Sequence, residues 1–393
     1  MKDIIFITPF YLSMRYERIF CIDALLEAGF NVEYWTVNKV FFPERSFGNE
    51  ETDRILTSDY RMDIITFDEL LNKLKEKATS NSIFFVDNNI LKLMSRYGAF
   101  FKLLKKKKIF TFIIACFSWP KPVKLSRRAR FARFAMLDFK SKIIKIKNYV
   151  LYHLKRFWKA VFFDFSYDIV IGLNPPYKCS RNVFINNFDY EKYRVDSHLP
   201  DLIKVKYAVF LDSYFPLHPD LKTWGPKPPP TEENARQYLK LMNSFFTKIE
   251  RQFGVQVVVA AHPISEYTEA NYGGRVVLKS KTCQLIQHAQ FAILHMSASV
   301  SFAILRHCPL LFCYTNDYRI FSETGFTFSK IESQLLKAPF IQVEQYIDDT
   351  GLPIPEPNID REACEEYKYT HLTRPEIENK ENKDIILELF RSL

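Results

Sequence analysis

The stretch Val257-Val258-Val259-Ala260-Ala261-His262-Pro263 decides the fold. An unbroken apolar run led by three β-branched residues reads as a strand buried on both faces. That is the habit of parallel strands covered by helices on either side. The residue just after such a strand stands at its carboxyl end, where open α/β sheets bind their ligands. His262 occupies that place, and Pro263 fixes the turn that aims it. An imidazole there can donate to a phosphate oxygen.

Outward from this run the pattern repeats. On its N-terminal side lie a strand over Tyr207–Leu211, a Pro-rich loop over Thr223–Pro230 and a long helix over Glu232–Phe253. The helix is capped by Thr231 and carries acids in its first turn. On its C-terminal side come strands at Val276–Leu278, Phe291–His295 and Pro309–Tyr314, alternating with helices at Cys283–Ala289 and Ser297–Leu305. The first half alternates in the same way: strands at Ile4–Thr8, Asn31–Val37, Ser82–Val86, Ile109–Cys116 and Asp168–Leu173, with helices near Tyr16–Ala28 and Leu91–Leu104. The polar stretch Asp189–Pro200 reads as a boundary. The fold expected is α/β, with two Rossmann-like domains facing a cleft. Residues 1–195 are expected to form the N-terminal domain, which carries a basic amphipathic insert at about 121–160. Residues 205–360 are expected to form the C-terminal domain. The tail at 361–393 has a helix that packs back on the N-terminal domain.

A second rim segment is Phe291-Ala292-Ile293-Leu294-His295-Met296-Ser297-Ala298-Ser299-Val300-Ser301. It reads as strand, hydroxyl-rich turn and helix start, a combination that suits an anion. One serine is enough to cap a helix; three within five residues exceed that need. Ser297 and Ser299 are the expected ligands, Ser301 lines the first turn, and Thr282 adds a contact from the preceding helix. Asp212 follows the strand Tyr207–Leu211, and Asp87 follows Ser82–Val86 in the first domain; with Glu17 these are the carboxylates near strand ends. A second His-Pro pair, His218-Pro219, reads as a loop at the cleft edge.

His262-Pro263 followed by the serines of Ser297-Ala298-Ser299 resembles the nucleotide-binding half of GT-B glycosyltransferases. Within these it is most similar to the bacterial sialyltransferases and related enzymes that use CMP-activated nonulosonic acids (sialic, pseudaminic, legionaminic) or Kdo. The resemblance covers roughly residues 205–320. It implies that His262, Pro263, Thr282, Ser297, Ser299 and Ser301 hold the cytidine nucleotide. It also implies that residues 205–360 bind the nucleotide sugar and residues 1–195 the acceptor, with inverting transfer to a surface glycan of a capsule or lipopolysaccharide. The catalytic base is then expected at Asp212, with Asp87 and Glu17 as rivals that could serve the acceptor. This chain departs from the family in two respects: its serines are split by Ala298, and the acidic D/E-D/E-G tripeptide is absent, so Asp212 stands in for the base by position only. No Asp-x-Asp occurs, so the leaving phosphate is expected to meet His262, hydroxyls and helix dipoles without a metal or other cofactor.

Other classes find little support. There is no Walker A motif, no G-x-G-x-x-G and no G-x-S-x-G elbow. Seven dispersed cysteines with no CxxC suggest neither a zinc knuckle nor a disulfide framework. The longest apolar run, Ile109–Trp119, is too short to span a membrane. The formal charge of +10 is uneven: Lys102 to Lys159 holds 18 Lys/Arg and one acid, Asp138, while the remainder is acidic by 7. Arg127, Arg128, Arg130, Arg133, Lys142 and Lys145 lie there among Phe131, Phe134, Ile143, Ile144 and Trp158. That interleaving suits an amphipathic segment on an anionic membrane surface. The expected partners are therefore a nucleotide-sugar donor, a glycan or glycolipid acceptor and an anionic membrane, with nucleic acid not expected. The expected place is cytoplasmic, peripheral on the inner face of the plasma membrane. Two rival readings are a UDP- or GDP-sugar transferase of the same fold and a non-catalytic basic protein that binds membrane or nucleic acid.

Overall fold

The structure is a computed structural model that describes residues 2–43, 55–115, 147, 150, 165–173, 177–224, 228–347 and 351–393. The basic residues 127, 128, 130, 133, 142 and 145 fall outside these. The chain forms two compact units. One takes the described residues up to Phe184 together with Asn382–Leu393; the other takes Ile185–Glu381. Both are α/β, each built on one parallel sheet.

In the first unit the strands are β1 (Asp3–Thr8), β2 (Asn31–Thr36), β3 (Arg61–Asp63), β4 (Ser82–Val86), β5 (Phe110–Ala115), β6 (Tyr167–Gly172) and β7 (Cys179–Val183). They lie in the order β3-β2-β1-β4-β5-β6-β7, every pair parallel. The second unit has β8 (Tyr207–Leu211), β9 (Gln256–Ala261), β10 (Val277–Lys279), β11 (Ala292–Leu294), β12 (Leu310–Tyr314) and β13 (Phe340–Gln342), ordered β10-β9-β8-β11-β12-β13 and again parallel. Relabelled by position, the second sheet reads 3-2-1-4-5-6, the Rossmann order, and the first reads the same with a seventh strand added at the end. In each, strand order reverses beside the first strand, and ligands of such sheets sit at that reversal.

The cores follow from the strand sequences. In β8 every residue is buried, with Ala208 and Phe210 on one face and Tyr207, Val209 and Leu211 on the other. The helix Glu232–Phe253 presses Tyr238, Met242, Phe245, Phe246 and Ile249 onto the first of these faces. It begins with a reciprocal cap between Thr231 and Asn234 and stops at Gly254, whose φ of 62° lies in the left-handed region that glycine tolerates best. In the first unit Phe6 meets Phe20, Tyr34, Phe85 and Phe112, an aromatic cluster centred on β1.

Several expectations change in detail. The helix expected over Tyr16–Ala28 is two, Met14–Phe20 and Ile22–Glu27, because Cys21 between them takes φ 54°. The stretch expected as a polar boundary, Asp189–Pro200, contains the helix Phe188–Asp196. This helix buries Tyr190 in the second unit's core, so that unit begins before it, at Ile185. The tail divides. Arg361–Tyr367 and the π-turn after it belong to the second unit, and only the last helix, Asn382–Ser392, joins the first. There Phe390 packs edge-on against Phe30 and Phe112, as expected of a tail helix that returns to the N-terminal domain.

Among the described residues the chain passes from one unit to the other at Phe184–Ile185 and at Glu381–Asn382, and the buried Asn186 bonds to residues beside the second passage. Asn186 donates to the Lys380 carbonyl at 2.9 Å and to the Glu191 carboxylate at 2.9 Å, and its oxygen accepts from the Thr373 hydroxyl at 2.6 Å. Arg194 adds a bond to the same Lys380 carbonyl at 2.7 Å.

One buried acid is costly. Glu332, on the helix Glu323–Leu335, has no exposed surface and no well-formed hydrogen bond. Burial pushes its carboxyl up to about 8, against the pull of the Tyr367 hydroxyl nearby. The unfolded chain releases this proton near 4.5, while the folded chain keeps it to about 8. Between those values the folded state holds the extra proton, so stability falls as pH rises and levels off above the folded value. Glu332→Gln removes that slope. Its thermal midpoint is expected to exceed the wild type's at pH 8.5 by several degrees and to approach it at pH 5. An equal shift at both pH values would contradict the assignment.

Candidate functional site

The carboxyl end of the second unit's sheet carries the rim residues in the order of the strands. Thr282 follows β10 and is half-exposed at the start of the helix Thr282–Ile286. His262 follows β9, Asp212 follows β8, and His295 to Ser299 follow β11. The register aligns Leu211 of β8 with Ala260 of β9 and Leu294 of β11, so these turns leave the sheet at nearly one level. His262 and the serine turn therefore flank β8, whose own loop rises between them.

Asp212 turns inward. It is 4% exposed, and its two carboxylate oxygens accept from the backbone N–H of Tyr214 at 2.8 Å and of His262 at 3.4 Å. The hydroxyls of Ser265 and Tyr272 lie close enough to favour its charge, but burial outweighs them and raises its pKa. The side chain thus binds the β8 turn to the β9 turn, where the sequence reading placed it facing a cleft. The physical reason is local: the N–H groups left over where two strands end need an acceptor, and the carboxylate supplies one to each.

His262 is half-buried. Its Nδ1 accepts from the N–H of Ile264 at 3.4 Å. Proline has no N–H, so in a His-Pro-x turn the next available donor lies two residues on. His218-Pro219-Asp220 uses the same device: His218 Nδ1 accepts from the Asp220 N–H at 3.2 Å. The two imidazoles come together, with ring centroids 5.1 Å apart at 77°. Burial lowers the pKa of His218, and the Asp220 carboxylate, 3.8 Å away, opposes this. The second His-Pro, expected at the cleft edge, thus lies against the first. The repeated dipeptide was the one available sign of the pairing.

The serine turn rests on His295, which is wholly buried. Its Nδ1 lies 2.7 Å from the Cys313 carbonyl, which can only accept, so Nδ1 carries the proton. Nε2, at 2.8 Å, then accepts from the Tyr238 hydroxyl. The ring stacks on Tyr318 at 4.4 Å, and burial lowers its pKa to about 4, so it stays neutral. The Met296 N–H donates to the Tyr318 hydroxyl at 3.2 Å. These aromatic anchors were not singled out from sequence, since a buried His and two Tyr look like ordinary core. Above them the serines divide. Ser301 is buried, its hydroxyl given to the Ala298 carbonyl at 2.9 Å. Ser297 accepts from the Ser299 N–H at 3.3 Å, and Ser299 precedes the helix Val300–Arg306 without capping it by its side chain. The Ser297 and Ser299 side chains are half-exposed at the rim.

The first unit's rim holds the other carboxylates. Asp87 ends β4 and is 9% exposed. Its oxygens accept from the Asn89 N–H at 2.7 Å and from the Thr8 hydroxyl, at the end of β1, at 3.2 Å, and burial raises its pKa. Glu17, in the first turn of the helix after β1, is half-buried and accepts from the Tyr60 hydroxyl at 2.8 Å. Among the described residues no three or more His, Cys, Asp or Glu side chains gather as a metal site, and no helix is long and apolar enough to cross a membrane.

No family model matches this sequence, and no curated protein sequence does so either. Solved structures align over the whole chain at low identity. The calicheamicin glycosyltransferase CalG4 is 9% identical, covering 100% of this chain and 98% of its own, with a TM-score of 0.45. MurG of Acinetobacter baumannii is 10% identical, covering 100% of both chains, with a TM-score of 0.44. The wall teichoic acid polymerase TagF is 11% identical, covering 100% of this chain and 88% of its own, with a TM-score of 0.43. Likeness this distant leaves the functional argument to the residues above.

Asp212→Ala leaves two buried N–H groups without acceptors, at about 1–3 kcal/mol each. The variant is expected to unfold at lower denaturant with an unchanged m-value. Unchanged stability would show that the carboxylate does not hold the two turns.

Proposed function

We propose that this protein is an inverting GT-B glycosyltransferase whose second unit holds a nucleotide-activated sugar. One observation carries the reading: His262 and the half-exposed Ser297 and Ser299 flank the first strand of a Rossmann-ordered sheet, at its carboxyl end. An imidazole N–H and two hydroxyls fixed on a rigid sheet edge suit a phosphate, and their worth grows as charge develops on the departing nucleotide. Pro263 sets the His262 turn, Thr282 adds a hydroxyl from the neighbouring strand, and Ser301 supports the turn without meeting the ligand. Asp212 enters as a positioning group, since its oxygens are occupied by the N–H groups of Tyr214 and His262.

We assign the acceptor to the first unit, with Glu17, half-buried and accepting from the Tyr60 hydroxyl, ahead of Asp87, whose oxygens are occupied as those of Asp212 are. A base there takes the proton from the acceptor hydroxyl as it attacks the anomeric carbon, and the bond to the nucleotide phosphate breaks with inversion. The donor class proposed is a CMP-activated nonulosonic acid or Kdo, on the resemblance of His262-Pro263 and the split serines to enzymes of that class. The acceptor proposed is a growing surface glycan. Charge on the leaving CMP is met by His262 and the hydroxyls, so the reaction proposed requires no metal. The basic, aromatic-interleaved segment is proposed to hold the enzyme on an anionic membrane, with Arg127, Arg128, Arg130, Arg133, Lys142 and Lys145 facing the lipid.

Two experiments test this. In the first, CMP, UDP and GDP are compared by thermal shift, and CMP release from CMP-sialic, CMP-pseudaminic and CMP-Kdo donors is followed with and without EDTA. CMP at a hundred times its Kd should stabilise the fold by about 2.7 kcal/mol. His262→Ala should lose most of that gain and of the turnover; undiminished turnover in His262→Ala would remove the role given to this residue. In the second, flotation with phosphatidylserine vesicles should recover the protein at low salt, and 0.5 M NaCl should release it. Equal recovery on neutral vesicles would reject the electrostatic attachment.

A further inference from the structure

The second His-Pro pair has no place in the site as described so far, yet its ring lies against His262. The resemblance that singles out His262 assigns nothing to His218. Three observations bear on it. His218 and His262 are built alike: each Nδ1 accepts from the N–H two residues on, so a neutral ring carries its proton on Nε2. Among the described residues the His218 Nε2 has no hydrogen-bond partner, although the ring is half-buried. The rings also stand 5.1 Å apart, on the loops of β8 and β9, whose carboxyl ends are adjacent.

From this geometry we infer that His218 is a second imidazole of the donor-phosphate site, gripping the same phosphate as His262 through its Nε2–H. A cation is the poorer occupant, because no third His, Cys, Asp or Glu completes a ligand set with the two rings among the described residues. An apolar ligand leaves the Nε2 donor unpaired. An oxyanion satisfies both rings, since two imidazoles side by side repel when charged and an anion between them relieves the repulsion. This role rests on the nucleotide-sugar reading above. It makes His218 a binding residue of the second unit, where the sequence had suggested a place at the cleft edge.

The test uses the different reach of two amides. Asparagine places its oxygen where Nδ1 stands, so His218→Asn keeps the turn to the Asp220 N–H and removes the outer donor. Glutamine places its amide where Nε2 stands, so His218→Gln restores the donor and gives up the turn. Calorimetry on the full chain measures whichever of CMP, UDP and GDP the wild type binds most tightly, and thermal unfolding shows that each variant is folded. His218→Asn should weaken binding about tenfold, the loss expected when a charged partner loses one hydrogen bond, while His218→Gln stays within about threefold of wild type. The reverse ranking would reduce His218 to a turn former and overturn the proposal. Wild-type affinity in both variants would also overturn it, while leaving the nucleotide site itself standing, provided His262→Ala still loses affinity. If the folded wild type binds none of the three nucleotides, the donor reading fails and this inference falls with it.

Discussion

An aspartate taken out of water must be given N–H or O–H groups in exchange, and the site in each unit is organised around one such aspartate. In the second unit Asp212 accepts from the turn that follows its own strand and from the turn that follows β9. In the first, Asp87 accepts from its own turn and from Thr8 at the end of β1. In both cases a carboxylate fastens the carboxyl ends of two neighbouring strands near the point where strand order reverses. The loops that leave the sheet there carry the candidate site residues, so the position of His262 follows from where Asp212 can find its donors. Such a group is costly to bury and costlier still to leave unpaired. It therefore allows the two turns one arrangement.

The serine turn is fixed by different means. His295 is a neutral ring clamped between a carbonyl and a phenol, with Tyr318 stacked on its face and accepting from the Met296 N–H. Hydrophobic area and two hydrogen bonds do here what a charge does beside β9. The two flanks of β8 are thus rigid for independent reasons, and a ligand that touches both meets groups already in place, which limits the entropy lost on binding.

Much of the fold was legible in the sequence because central parallel strands are buried on both faces. Ile4–Thr8, Ser82–Val86, Tyr207–Leu211 and Val257–Ala261 read as continuous apolar runs. The long helix announced itself by Thr231 and the acids of its first turn. What escaped notice is polar or short: β3 is Arg-Met-Asp, β7 is Cys-Ser-Arg-Asn-Val, and β13 is three residues long. These strands are at or near sheet edges, where one side is solvated and the pattern fades. The helix Phe188–Asp196 was hidden by its charges, since only Tyr190 and Asp189 of its nine residues are buried. In the site, position along the chain located His262 and the serines, because strand ends are readable. The direction of Asp212 was not readable, since it depends on which N–H groups the next turn leaves unpaired. Nor was the meeting of His218 with His262, which depends on two loops folding toward each other.

The tie at Asn186 has a consequence for dividing the molecule. Its amide is satisfied by residues far along the chain, among them Thr373 and Lys380, on the stretch just before the last helix crosses to the first unit. The C-terminal tail is therefore a shared part, and cutting the gene where one unit ends and the next begins does not yield two clean halves. A fragment of the second unit has to run from Ile185 to Glu381 to keep these bonds. The other half, expressed alone, lacks the helix that covers Phe30 and Phe112 unless that helix is grafted back on as a separate piece.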